Sequence, residues 1–149
     1  MIDHLCKATD APTLAALLAP LGLATVAQDG TISWAPNVIL NVGGPNDQSI
    51  RVILADAVWN KSDPDPRKWT ITTPEQLEAG FFVMVAADAL DARLVTLPGN
   101  ALRMATDRDA AAAGNPNFIV FLASDFNQSL LTTGRLEPTP LGSAYPFKV

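Results

Sequence analysis

His4 and Cys6 are the residues whose types and spacing come nearest to a catalytic pair. A cysteine nucleophile needs a base beside it, normally histidine, and the chain contains one residue of each type. Residues two apart point to the same side of an extended strand, so the spacing permits a Cys/His dyad. The sequence shows no third catalytic residue at a recognisable spacing from this pair. The favoured interpretation is therefore that His4 and Cys6 have a structural role. We therefore expect no catalytic residue here.

The sequence does not indicate a metal site or a cofactor. Structural zinc needs about four nitrogen or sulfur ligands, and His4 with Cys6 supplies two. The segment 63–65 (Asp-Pro-Asp) lacks the further carboxylates and the glycine of an EF-hand loop, so a solvated turn is expected. Gly43-Gly44 lacks the lysine and hydroxyl residue of a phosphate-binding loop and is predicted to be a turn.

Clustered carboxylates are a third source of chemistry. Five aspartates could contribute to an acid–base site if they met in space: Asp88, Asp91, Asp107, Asp109 and Asp125. Such a site is defined by a spatial separation that sequence does not supply. Most of these residues occupy positions that favour a helix cap or a turn. We expect the chain not to be an enzyme, and a carboxylate-dependent enzyme is the third of three functional hypotheses.

Aromatic residues outside the predicted core elements are the candidates for partner binding. Trp59 and Trp69 bracket a proline-rich loop, and Tyr145 and Phe147 lie near the end of the sequence. Aromatic side chains on irregular segments either fold back on their own core or anchor a partner, and both alternatives stay open. If Trp59 and Trp69 lined a groove, they would suit a small-molecule or carbohydrate-binding module, which is the second hypothesis.

The composition and net charge limit the classes of partner that the chain could bind. The chain has 149 residues, a net charge of -5 and a pI of about 4.6, which suits one core and repels nucleic acid and anionic membranes. Apolar residues reach 48% and charged residues 17%, so some apolar surface is expected to be covered by a partner. With one cysteine and an acidic N-terminal segment, we expect synthesis in the bacterial cytoplasm.

The elements that must position these residues are short. Strands are predicted at 23–27 and 31–35 as one hairpin, at 37–42 and 50–54 as a second hairpin, and at 81–87, 101–105 and 118–123. Helices are predicted at 10–19, 74–79 and 110–113, with a helical turn at 125–131 and a long loop at 59–69. The expected fold is α+β, mainly antiparallel sheet with short helices, as a single globular domain over 1–134.

Residues 135–149 are predicted to form an extended C-terminal arm. Pro138, Pro140 and Pro146 remove amide donors, which keeps the arm out of the middle of a sheet. Tyr145 and Phe147 are two residues apart, so both could enter pockets on the same side of a partner. We expect the C-terminal arm to dock on a neighbouring subunit.

Several strings of residues resemble short uncharacterised proteins encoded among the tail genes of tailed phages and prophages. The resemblance covers most of the chain after residue 50 and is carried by the strings at 55–59, 80–83, 97–100, 107–112 and 143–147. It implies a structural or assembly protein of the virion in the tail, baseplate or fibre region, with other virion proteins or further copies of itself as partners. It brings no functional residues with it.

Overall fold

The computed structural model describes residues 1–40, 49–98, 101–113, 119–122 and 135–136. Its strands are Ile2–Ala8 (β1), Ala24–Val26 (β2), Ile32–Trp34 (β3), Val38–Ile39 (β4), Val52–Ala55 (β5), Val58–Asn60 (β6), Thr70–Thr73 (β7), Gln76–Leu77 (β8), Phe81–Ala87 (β9), Leu102–Asp107 (β10), Ile119–Leu122 (β11) and Arg135–Leu136 (β12). Its α-helices are Ala11–Leu18 (α1), Ala92–Val95 (α2) and Arg108–Ala112 (α3). The predicted α+β fold, mainly antiparallel sheet with short helices, is confirmed.

The main sheet has five strands in the order β11-β10-β1-β9-β4, and every neighbouring pair is antiparallel. β1 lies in its middle, where it pairs with β9 along its whole length and with β10 on the other side. The runs predicted as strands at 81–87, 101–105 and 118–123 are therefore confirmed as β9, β10 and β11. The aromatic and β-branched side chains of β9 suit a pleated surface that is buried.

Helix α1 covers one face of the five-stranded sheet. Its Leu14 and Leu18, one turn apart, are completely buried and belong to one apolar cluster with Cys6, Val83 and Val85. Each leucine contributes about 1.5–3 kcal/mol through burial. This packing is why a helix of only 8 residues is stable here.

Local signals set both ends of α1. The Asp10 side chain accepts a hydrogen bond of 2.8 Å from the Thr13 amide at the N-terminus, where Pro12 also lies within the first turn. At the other end a short 3₁₀ turn finishes at Gly22, whose φ of 73° is in the left-handed region. The helix predicted at 10–19 is confirmed, with a slightly shorter extent.

The hairpin predicted at 23–27 and 31–35 is confirmed as β2 and β3. Gly30 supplies a φ of 85° in the turn, and the Thr31 amide donates to the Asp29 carboxylate at 2.9 Å. Trp34 was predicted to be core; it is half-buried and stacks on Phe81 with ring centroids 6.0 Å apart. The hairpin therefore extends the core rather than standing apart from it.

The second predicted hairpin is wrong. β4 pairs with β9 in the five-stranded sheet, whereas β5 lies between β8 and β12 in a separate three-stranded sheet. Val38 pairs with Val85 and Ile39 with Met84, so both residues of β4 lie beside apolar residues of β9. The turn predicted at 43–47 lies outside the described residues.

The helix predicted at 74–79 is also wrong, because Gln76–Leu77 in the middle of this range form β8 and the rest of the range is not helical. Leu77 pairs with Ile53, Gln76 pairs with Ala55, and the Glu78 amide donates to the Val52 carbonyl at 2.9 Å. Backbone pairing with β5 thus outweighs the local capping pattern. Gly80, which follows β8, has a φ of 128° that favours glycine.

The most important element without a prediction is β1. Its sequence, Ile-Asp-His-Leu-Cys-Lys-Ala, mixes polar and apolar residues and carries no strand pattern. Its buried polar side chains are satisfied by distant partners: Asp3 accepts two bonds from Arg108, at 2.8 and 2.7 Å. Glu78 Oε1 likewise accepts from Lys7 at 3.3 Å and from Arg103 at 2.8 Å. These ion pairs are polar interactions that sequence reasoning did not find.

Some predictions lie beyond the described residues, namely the helical turn at 125–131 and positions 137–149 of the C-terminal arm. Arg135 and Leu136, the first two residues of the arm, form β12 and pair with Ile53 and Val52 of β5. The helix predicted at 110–113 is α3, which begins two residues earlier than expected. None of the helices within the described ranges has the length and hydropathy of a membrane span.

Candidate functional site

The hairpin of β6 and β7 contains Trp59 and is the most exposed pair of strands described. Trp59 lies opposite Ile71, Asn60 lies opposite Thr70, and the register shifts beside Val58. The Thr72 hydroxyl donates to the Val58 carbonyl at 3.0 Å, which supports the irregular position. Threonine, valine, isoleucine and tryptophan all favour extended backbone, so the pairing follows from local preference once a turn connects the strands. Most of the loop predicted at 59–69 is that connection.

The connection is held by its own side chains. The Asp63 carboxylate accepts from the Asp65 amide at 2.9 Å, and Asp65 in turn caps a 3₁₀ turn through the Arg67 amide at 3.1 Å. The Asp65 carboxylate also pairs with the Arg67 guanidinium, which lowers the pKa of that carboxyl. These acids act as turn residues, which agrees with the interpretation favoured for segment 63–65.

Trp69 closes this connection. Its indole N–H donates to the Asp63 carbonyl at 2.9 Å, and the Lys61 ammonium lies 5.0 Å from its ring centroid. Both contacts are local, and the side chain is half-buried against its own loop. Trp69 thus folds back on the chain, and it does not line the depression around Trp59.

Trp59 points outward instead. All residues of β6 and β7 are exposed, and the three largest apolar side chains retain about half of their surface: Val58 54%, Trp59 46% and Ile71 51%. Leu77 of β8, at 41%, adds a fourth. Large apolar side chains on adjacent strands are usually buried, so this concentration of exposed ones makes the hairpin the candidate contact surface.

A depression of about 630 Å³ lies beside this surface. Its walls are formed by Asp56, Ala57, Trp59, Ile71, Pro74 and Glu75. We call it the Trp59 groove. It combines an indole face and apolar side chains with two carboxylates, a lining that can stack on a flat or apolar group and attract a cation. The Glu75 carboxylate is in close ionic contact with the Arg51 guanidinium, which neutralises part of the negative charge at one end.

His4 and Cys6 do not form a dyad. His4 is completely buried; its Nδ1 lies 3.0 Å from the Val85 carbonyl and its Nε2 accepts from the Asp91 amide at 2.9 Å. These partners assign a neutral ring with the proton on Nδ1. The Cys6 thiol lies 3.8 Å from the His4 backbone carbonyl, and burial raises its pKa to about 12. A buried thiol with so high a pKa is inert as a nucleophile.

Three of the aspartates considered for acid–base chemistry lie near the N-terminal ammonium of Met1: Asp109 accepts a hydrogen bond from it at 2.6 Å, and Asp107 and Asp88 add to the negative charge that raises its pKa. Asp91 caps α2 and binds Arg93 through both carboxylate oxygens, and this pairing lowers its pKa. Asp107 accepts from the amides of residues 109 and 110 at the start of α3, and Asp88 is exposed. Asp125 lies outside the described residues. Across the described ranges, no three histidine, cysteine, aspartate or glutamate side chains are grouped as metal ligands.

Of the four predicted partner-binding residues, the structure therefore places Trp59 on an exposed surface and Trp69 in its own loop, while Tyr145 and Phe147 lie outside the described residues. Ile71 and Val58 belong to the candidate site but were not predicted. The sequence shows only that Val58 and Ile71 belong to short runs of residues that favour strands. Such runs indicate a core strand equally well. Comparison with known protein families, with characterised proteins and with solved structures finds no match.

Proposed function

We propose that this chain is a structural or assembly protein of a phage particle that acts through protein–protein contacts at the hairpin of β6 and β7. The observation that carries the proposal is the exposure of Val58, Trp59 and Ile71 on adjacent strands. The phage context, in the tail, baseplate or fibre region, comes from the sequence resemblance. The partners proposed are other virion proteins or further copies of the chain.

The energetics of the hairpin support a protein partner. A two-stranded ribbon that is exposed on both faces is at best marginally stable in water, and burial against a partner would stabilise it. A tryptophan with branched apolar neighbours is also a typical hot spot, because it buries a large rigid surface at low cost in side-chain entropy. Polar threonines and the loop at 61–69 surround these residues, as the polar rim surrounds the apolar centre of an interface.

The test is a paired measurement of mass and affinity. The full chain is analysed by light scattering, first by itself and then with the proteins encoded by the genes that adjoin its own. Replacing Trp59 and Ile71 together by alanine should weaken the complex by ~30-fold or more, the scale of a hot spot. Val26 on β2 and Leu90 in the connection between β9 and α2, at 49% and 44% exposure, provide a matched double-alanine control.

Equal affinities for the Trp59→Ala/Ile71→Ala variant and the control would reject the hairpin as the contact. A complex that persists without this surface would leave the phage role with no support from the geometry described above. A strictly monomeric chain that binds none of the neighbouring proteins would reject the role itself.

A ligand-binding module is the second candidate, and the Trp59 groove is the observation that favours it. Its volume of about 630 Å³ lies within the ~300–1,000 Å³ of small-molecule sites. An indole face with carboxylates at one side is suited to a sugar ring. The ring stacks on the indole, and its hydroxyls donate hydrogen bonds to the carboxylates. Titration calorimetry with a set of simple oligosaccharides tests this, and heat of binding that Trp59→Ala abolishes would favour it over the protein contact.

A further inference from the structure

The Trp59 groove and the loop at 61–69 lie at opposite ends of the hairpin of β6 and β7. Asn60 pairs with Thr70 at the end that the loop connects, and the groove extends beyond the other end of the ladder, around residues 56–57 and 74–75. Among the described residues that line the groove, none belongs to the loop. The loop of a chain therefore does not fill the groove of the same chain.

The loop exposes its basic side chains and keeps its acids within the turn. The Arg67 side chain is 89% exposed, whereas that of Asp65, which pairs with it, is 29% exposed. Asp63 is half-buried and accepts a hydrogen bond from the Asp65 amide. Lys68 is exposed as well. A molecule that approaches the loop therefore meets mainly positive charge, although the whole chain carries a net charge of -5.

The groove end of the hairpin carries the opposite charge. Carboxylates of Asp56 and Glu75 line the depression together with the indole of Trp59, and Arg51 offsets part of their charge through its contact with Glu75. A guanidinium or ammonium group is attracted both by the face of an indole and by a carboxylate. The basic side chains of the loop therefore have the chemistry that this end of the hairpin binds.

Two proline rings of the loop match the indole. Pro64 and Pro66 are exposed, and proline rings dock on aromatic side chains when proline-rich segments are recognised. The loop is also held in shape before it binds, because the Trp69 indole donates a hydrogen bond of 2.9 Å to the Asp63 carbonyl. A segment that is already ordered loses little entropy on binding.

We propose that the Trp59 groove of one chain binds the loop at 61–69 of a second copy. The inference rests on the proposed function and names one partner for its contact surface. Two hairpins related by a two-fold axis lie antiparallel, so each loop meets the groove of the other chain and the contact closes as a dimer. A parallel arrangement would bring like charges together. Trp59 and Ile71, which pair in the middle of the hairpin, lie at the centre of this interface.

Charge reversal in the full-length protein tests the proposal by light scattering over a concentration series, in which the parent is expected to be a dimer. The loop variant Arg67→Glu/Lys68→Glu and the groove variant Asp56→Lys each bring like charges together twice in a dimer. Each should therefore raise the dimer dissociation constant by ~30-fold or more. Asp88→Lys reverses an exposed aspartate outside the hairpin and is the matched control that should dimerise like the parent. Circular dichroism melting is recorded for every protein.

An equimolar mixture of the loop variant and the groove variant gives the most specific result. In their heterodimer, the unchanged loop of one chain meets the unchanged groove of the other, and the two reversed ends meet as glutamates against a lysine. Both contacts are then attractive, so the heterodimer should form at concentrations at which each variant by itself is monomeric. General repulsion does not explain a loss of the dimer in Asp56→Lys, because this substitution moves the net charge of -5 towards zero.

The outcomes separate this inference from the proposed function. A parent that stays monomeric at every concentration overturns the exchange of loops, as does a mixture that forms no heterodimer. A loop variant that dimerises like the parent also overturns it, and shows that another segment, such as residues 137–149, occupies the groove. In each case the proposed function stands if Trp59→Ala/Ile71→Ala weakens the dimer or the binding of neighbouring gene products. If that variant changes neither, both are rejected.

Discussion

The five-stranded sheet and the hairpin of β6 and β7 depart in opposite ways from the rule that polar side chains are exposed and apolar side chains are buried. In the sheet, Asp3 and His4 are at most 1% exposed. In the hairpin, Trp59 and Ile71 are about half-exposed. The Asp3 carboxylate and the His4 ring each have partners within the fold, so these two groups require no ligand to explain them. Contact with water does not stabilise the exposed apolar groups, whereas burial against a partner would. We therefore expect a partner at the hairpin rather than at the sheet.

The largest expected effect comes from a charge placed at the centre of the sheet. Val85 is 1% exposed and lies on β9 between Val38 and His4. Val85→Asp should abolish folding, because an unpaired buried carboxylate costs several kcal/mol against a total stability of ~5–15 kcal/mol. Thermal and urea unfolding measure this loss of stability. Val26→Asp, at a valine that is 49% exposed, is the matched control and should fold normally.

If Val85→Asp unfolded at the same temperature as the parent, the interior position of β9 would be wrong. Equal damage from both substitutions would mean that β2 is as deeply packed as β9, and the contrast between buried and exposed strands would not hold.

A smaller loss is expected from the buried ion pair. The Asp3 side chain is completely buried and binds Arg108 through both oxygens. Asp3→Asn keeps the shape but removes the charge, and it should lower the free energy of unfolding by about 3 kcal/mol because the guanidinium loses its buried partner. Asp65→Asn, which breaks the Arg67 pair on the exposed loop, should leave the melting temperature unchanged.

The comparison would fail if Asp65→Asn were the more damaging of the two, since the ion pair in the loop would then stabilise the fold more than the pair in the sheet. Denaturant unfolding at pH 7 distinguishes the two variants, provided that the slope of each transition is the same as that of the parent.

The smallest effect on stability is expected in the hairpin. When both proteins are monomeric, the free energy of unfolding of the Trp59→Ala/Ile71→Ala variant should lie within ~0.5 kcal/mol of that of the parent. The reason is that both side chains keep about half of their surface in water. Dilute protein and circular dichroism keep association out of the measurement. A large loss of stability would show that these residues pack on their own chain, and the hairpin would no longer differ in kind from the sheet.

Local signals in the sequence were sufficient for elements that local interactions determine. The helix at 10–19 and the first hairpin were predicted, and Asp10, Pro12 and Gly22 delimit the one while Asp29-Gly30 closes the other. The strand β1 was not predicted, because its polar residues are satisfied by groups about 80 to 105 residues away, such as Val85 and Arg108. β8 was mistaken for a helix because a short stretch of sequence does not show that it pairs with β5.

The candidate site was predicted in part. Trp59 was a candidate because an aromatic side chain beside a proline-rich loop can either fold back on its own core or anchor a partner, and the structure leaves it half-exposed on the surface. Trp69 carried the same signal but lies against Asp63 and Lys61, so the sequence could not separate an anchor from a loop support. Ile71 was overlooked because a lone isoleucine among threonines signals a strand without showing which side water occupies.

The position of β1 has a consequence for how the protein is made. This strand lies between β9 and β10, and the last residue of β1, Ala8, pairs with Phe81. During synthesis at ~5–20 residues per second, β1 therefore leaves the ribosome roughly 4–15 s before its first sheet partner is complete. Both of its edges are open to other chains in that interval. Because closing the sheet also joins segments far apart in sequence, the nascent chain should fold late and benefit from chaperones that shield strand edges.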